Sequence, residues 1–174
     1  MRIHKLNRGV TLLEVMVAVL VFSVGLLGMA GLMLVSQRTN HSAFLRTQAG
    51  FLAQGMIDRM RANPGGVWGG EYDSTGYPES GSLPACTLGS GCDKSNIAKR
   101  DRIAWSNAMT DLLPGPKASI TCTRSALGIA VPAELMNSGT TYDGTCTMVM
   151  TWKESNLNKG SDAADQTFAW VFQP

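Results

Sequence analysis

The sequence predicts an α+β fold. A long N-terminal helix, transmembrane in its first half and amphipathic in its second, packs on a small antiparallel β-sheet domain with a second short helix and two disulfides. Three observations carry this expectation. Val10 to Val35 is apolar almost without a break, and a helical stripe continues from it to Met60. Three runs in the C-terminal part alternate apolar and polar residues with a period of two, the signature of half-buried strands. All four cysteines, Cys86, Cys92, Cys122 and Cys146, lie beyond the apolar segment. The chain has 174 residues and a net charge of +2 with 16% charged residues, so no global charge points to nucleic acid or to an acidic partner.

Residues 1–9 form a basic leader. Arg2, His4, Lys5 and Arg8 stand there with no acid among them, and cations next to an apolar span hold that end in the cytoplasm. Residues 10–35 form the span, whose only polar members are Thr11, Glu14 and Ser23. A helix of this length measures about 39 Å, enough to cross a hydrocarbon core about 30 Å thick with some tilt. An ionised side chain inside it costs about 3 kcal/mol, so Glu14 calls for a functional explanation. A secretory signal with cleavage near Gly28-Met29-Ala30 is one alternative, although the apolar run is long for it. A capping box, with Thr11 as N-cap and Glu14 three residues on, is a second and local reading.

Gly9-Val10-Thr11-Leu12-Leu13-Glu14, behind a basic leader and ahead of an unbroken span, resembles the processing site of type IV prepilins and pseudopilins. Val10 stands where phenylalanine or methionine is commoner. The resemblance implies cleavage after Gly9 by a membrane-embedded prepilin peptidase and N-methylation of Val10. It implies that the new Val10 amine and the Glu14 carboxylate form a charge pair, each charge costing less when paired in an apolar layer. A neighbouring subunit's amine would make that pair an axial ruler during assembly. Gly25, Gly28 and Gly31 recur every three residues in the span. They allow either close helix packing or local unwinding in a filament, since glycine weakens a helix interior by about 1 kcal/mol.

Residues 36–63 continue the helix. Leu45, Ala49, Leu52, Met56 and Met60 make one apolar stripe, Arg59 and Arg61 suit the negative end of the helix dipole, and Asn63-Pro64-Gly65-Gly66 ends it. The run Asp58-Arg59-Met60-Arg61-Ala62-Asn63 resembles the helix end of PilV-type minor pilins. Asp101, Trp105 and Leu113-Pro114-Gly115 resemble a further segment of the same type.

Residues 64–174 form the globular domain, expected in the periplasm. Pro64 to Ser95, rich in Gly, Ser and Pro, reads as a long irregular loop. A local Cys86–Cys92 bridge is the simplest pairing there and contributes roughly 2 kcal/mol through chain entropy. Asn96 to Leu113 reads as the second helix, with Ile97, Asp101, Ala104, Trp105, Ala108, Met109 and Leu112 broadly on one side. Three strands follow. Ala118, Ile120 and Cys122 share a face in 117–124, Cys146, Met148, Met150 and Trp152 in 145–153, and Phe168, Trp170 and Phe172 in 166–172. Cys122 and Cys146 fall on apolar faces, so a cross-sheet bridge is open to them, contributing about 3.5 kcal/mol on the same argument. Zinc is disfavoured, since no C-x-x-C occurs and His4 and His41 are remote. In 125–144, Ala133 to Met136 suggests a single helical turn.

No nucleophile–base pair, phosphate loop or metal cluster stands out, so the sequence predicts no enzyme and no cofactor. The basic residues Lys94, Lys99, Arg100 and Arg102 read as a solvated helix start, not as a nucleic-acid patch. The resemblance implies a minor pilin that primes type IV pilus assembly at or near the filament tip. Its partners would be the prepilin peptidase, other minor and major pilins, the inner-membrane assembly platform and a large tip adhesin. It implies a single pass through the inner membrane before transfer to the pilus. A type II secretion pseudopilin, a bitopic membrane-anchored periplasmic binding domain and a secreted enzyme are the alternatives.

Overall fold

The structure, a computed structural model, describes residues 9–86, 91–125, 140–155 and 163–174. Most of the leader, the interior of the Cys86–Cys92 loop and the expected turn at Ala133 to Met136 lie outside the described residues. The chain divides between Ala43 and Phe44 into two units, each taken by itself below. Helix α1, Leu12–Ala62, contributes to both.

In the first unit α1 starts where the sequence places a cap. Thr11 precedes the helix, and its Oγ1 accepts a hydrogen bond from the Glu14 amide at 3.3 Å. The large apolar side chains from Val10 to Val35 are 50–78% exposed, and no residue in the most apolar window is buried. A lone helix presenting apolar side chains on every face is a segment suited to hydrocarbon or to a helical bundle. Ser23 Oγ donates to the Leu20 carbonyl at 2.8 Å, and Thr39 Oγ1 donates to that of Val35 at 3.0 Å. Their hydroxyls are thus satisfied within the helix, which lowers the cost of placing them in an apolar run.

In the second unit the expected stripe is the core. Leu45, Ala49, Leu52, Met56 and Met60 are all buried, joined by Ala53 and Ile57. The segment after α1 differs from the irregular loop expected. Asn63 caps a short helix α2, Pro64–Trp68, accepting from the Gly66 amide at 3.3 Å, with Pro64 at the first turn where its missing N–H is harmless. Gly66 is required there, because a Cβ would overlap the Asn63 amide and lie 3.1 Å from the Tyr72 ring. Strand β1, Ser74–Tyr77, follows and pairs with a strand far along the chain, not in a local hairpin.

Helix α3, Lys94–Leu112, begins two residues before the expected start because Asp93 caps it, accepting from the Asn96 amide at 2.7 Å. Its buried residues are Ala98, Asp101, Ile103, Trp105, Ser106 and Met109. Leu112 turns out to be exposed and Leu113 takes its place in the core, since the helix ends between them. Strands β2, Lys117–Thr123, β3, Thr145–Ser155, and β4, Ala163–Phe172, complete an antiparallel sheet of order β1-β2-β3-β4. Ala118, Ile120, Cys146, Met148, Met150 and Trp152 face the core as expected. Phe168 does not join them and is 46% exposed at the sheet margin. Both disulfides form, Cys86–Cys92 and Cys122–Cys146, the second between residues directly opposite in the β2–β3 register. The long apolar helix, antiparallel sheet, second helix and two bridges match the pilin-like α+β expectation.

Candidate functional site

Gly9, Val10 and Thr11 precede α1 and are exposed. A Cβ built at Gly9 meets nothing within 4 Å, so the Gly9–Val10 peptide bond stands in the open. Glu14 occupies the first turn of α1, where an anion interacts favourably with the free amides and the helix dipole. Its amide also donates to the Thr11 carbonyl at 3.1 Å, so the turn holds the backbone of both residues in place. The Thr11 half of the capping box is therefore formed. The Glu14 carboxylate makes no ion pair among the described residues. The geometry is that of an accessible peptide bond one turn ahead of a carboxylate on an apolar helix.

Residues 4–30 match the family described as the prokaryotic N-terminal methylation motif. The N-terminus of the chain carries that motif. That match supports a type IV pilin-like or pseudopilin-like protein, and with the apolar helix it is consistent with membrane anchoring. Comparison with curated proteins and with solved structures gives no match.

In the globular unit, three of the residues quoted from the PilV-type resemblance, Arg59, Asn63 and Asp101, meet in space. Arg59 Nη1 lies 2.9 Å from Asp101 Oδ1, and the Tyr72 hydroxyl donates to Asp101 Oδ2 at 2.8 Å. Asn63 Nδ2 donates to the Tyr72 hydroxyl at 3.1 Å and to the Lys94 carbonyl at 2.8 Å. Burial raises the Tyr72 phenol pKa above its ordinary value, with Asp101 adding to the rise and the Asn63 hydrogen bond opposing it. Trp105 Nε1 donates to the Leu52 carbonyl at 2.8 Å, fixing α3 against α1. Arg59 and Asn63 of the run thus join Tyr72 and Asp101 in one polar joint, buried except at Arg59, that ties α1, α2 and α3 together.

Sequence reasoning placed Asp101 on an apolar face without a partner and did not find Tyr72. The Asn63-Pro64 pair carried the only available signal, a cap followed by a first-turn proline. Among the described residues no group of three or more His, Cys, Asp or Glu side chains is placed to hold a metal ion. A cleft of about 570 Å³ is lined by Arg61, Pro64, Thr141, Gln173 and Pro174, and none of these side chains is an acid, a histidine or a thiol.

Proposed function

We propose that this chain is a minor pilin of the type IV pilus, of the PilV type, which primes assembly and sits at or near the filament tip. The observation that carries the reading is the methylation motif at residues 4–30, set at the head of a helix whose large apolar side chains up to Val35 are all exposed. Residues 1–9 are the leader removed by a prepilin peptidase, and Val10 becomes the methylated N-terminus. Residues 10–35 hold the subunit in the inner membrane, with its N-terminus in the cytoplasm and residues 64–174 in the periplasm. Residues 36–63 carry the helix on from the span to the globular domain.

On extraction by the assembly platform, the span exchanges lipid for neighbouring pilin helices, an apolar surface for an apolar surface. The Val10 amine and the Glu14 carboxylate then supply register, because each is costly to bury unless it meets the other charge. Minor and major pilins, together with a large tip adhesin, are the partners of the assembled form. The work of the chain is assembly, and it needs neither catalysis nor a cofactor.

The test is co-purification. Sheared type IV pili from cells expressing a tagged full-length chain should contain it. Its recovery with a type II secretion pseudopilus, and not with pili, would move the chain to the pseudopilins.

A further inference from the structure

Helix α1 stops short of the Gly9–Val10 bond, and one side chain sets where it stops. The first helical bond back to the fourth residue runs from the Val15 amide to the Thr11 carbonyl at 3.3 Å, which makes Thr11 the N-cap. Its Oγ1 accepts from the Glu14 amide at 3.3 Å, satisfying one of the amides that a helix start leaves free. Gly9 and Val10 lie outside the helix and are exposed. Among the described residues nothing donates to either of their carbonyls. The match to the methylation motif, residues 4–30, runs across this same boundary from leader to helix.

A peptidase acts on a bond whose carbonyl is free to be polarised and whose flanking backbone can be held in its cleft. A helix denies both, because each of its carbonyls is already paired with an amide four residues on. The sequence holds a competing helix start. Asn7, four residues before Thr11, is the nearest upstream side chain of capping type. A helix begun from it would take Arg8, Gly9 and Val10 into its first turn and pair the Gly9 carbonyl with the Leu13 amide. Gly9 and the β-branched Val10 disfavour that longer helix, whereas apolar surroundings favour it, since unpaired backbone groups are costly there. The Thr11 cap tips the balance toward the shorter helix.

We propose that Thr11 is a positioning residue for processing: by capping α1 it keeps the Gly9–Val10 bond in non-helical backbone that a prepilin peptidase can take. The inference rests on the reading of residues 1–9 as a removable leader. In the cleavage itself water adds across the bond, leaving a carboxyl on Gly9 and an amine on Val10, and Thr11 is unchanged. Its hydroxyl needs no contact with the reacting atoms. What it sets is the fraction of chains that present the bond, and that fraction scales the apparent affinity for the peptidase.

The test measures cleavage of the full-length chain, in detergent, by a purified prepilin peptidase. Thr11→Val keeps the shape of the side chain and removes the acceptor. It should raise KM by about two- to fivefold with kcat unchanged, the reach of one lost helix cap. Thr11→Ser and Thr11→Asn cap a helix through different chemical groups, and both should keep the parent's KM. Thr39→Val, which removes a hydroxyl that donates to the Val35 carbonyl inside α1, should be cleaved as the parent is. Backbone chemical shifts of Val10 should turn toward helix in Thr11→Val alone. Cleavage of Thr11→Val at the parent's KM overturns the proposal, as does a raised KM with the Val10 shifts unchanged. So does rescue by Ser without rescue by Asn, because the peptidase would then be reading the hydroxyl itself. A parent chain that is not cut after Gly9 removes the leader reading, and the inference falls with it.

Discussion

Arg59, in the last turn of α1, sets its guanidinium 2.9 Å from the carboxylate of Asp101 on α3. The two residues are 42 apart in sequence, and Tyr72 closes the joint by donating to the other Asp101 oxygen. The contributions within this joint are unequal. Arg59 keeps 44% of its side chain exposed, so solvent screens the ion pair, whereas the Asp101 side chain is 12% exposed and Tyr72 is fully buried.

Asp101→Ala should therefore cost about 2 kcal/mol, because it leaves the buried Tyr72 O–H without its acceptor. Arg59→Ala should cost under about 1 kcal/mol. Denaturant unfolding of the full chain in detergent, followed by tryptophan fluorescence, measures both. All four tryptophans lie in the second unit, so the signal reports that unit. A larger loss for Arg59→Ala than for Asp101→Ala would contradict this ranking.

Alkaline pH should loosen the same region. Burial is the main cause that raises the pKa values of Tyr72 and Tyr77 above the ordinary tyrosine value, so the folded state holds these protons more tightly than the unfolded state. Their contribution to stability is complete below about pH 10 and is lost as pH rises through the folded values. Unfolding midpoints should fall above that pH, and Tyr77→Phe should reduce the fall. The variant also loses the hydrogen bond to the Tyr72 carbonyl, 2.8 Å in the parent, which lowers its stability at neutral pH. A midpoint independent of pH between 9 and about 12 would rule the effect out.

Two glycines should respond in opposite directions to alanine. At Gly144 a Cβ would overlap the Thr123 carbonyl oxygen and come within 2.7 Å of Arg124 Cα. Gly144→Ala must push β2 and β3 apart beside their disulfide, with a loss of about 3 kcal/mol. At Gly50, inside α1, the same Cβ meets nothing within 4 Å. Gly50→Ala should stabilise the chain by up to about 1 kcal/mol through helix propensity alone. Thermal unfolding of the two variants side by side checks the contrast.

Charge removal at Glu14 separates insertion from assembly. Glu14→Gln should insert into the inner membrane as well as the parent, since it loses a charge that is costly there. Its recovery in sheared filaments should drop at least about tenfold, because the pairing charge is gone. Recovery equal to the parent would show that Glu14 sets no register.

The elements that were legible in the sequence are those with a sustained period. The stripe from Leu45 to Met60 and the alternation from Cys146 to Trp152 each bury one face over several turns or residues, and each was placed correctly. Short and non-local elements carried no such signal. β1 has four residues, two of them exposed in a row, and exists because β2 pairs with it across the intervening α3. α2 depends on one cap and one proline. Asp101 fell among the residues on one side of the second helix, but its role was not legible because its partners, Arg59 and Tyr72, come from separate stretches of the chain. Phe168 fits the strand period yet stays open, since nothing in the described structure covers the outer edge of β4. At the N-terminus the motif was legible in full, because its residues are contiguous.

The central claim is that Gly9–Val10 is a processing site, and the mature N-terminus tests it most directly. Mass spectrometry of the chain recovered from cells with an active prepilin peptidase should find an N-terminal peptide that begins at Val10 and carries one added methyl group. An N-terminus at Met1 would make the chain a simple membrane anchor, and one at Gly31 would make it a secreted protein; either result contradicts the account.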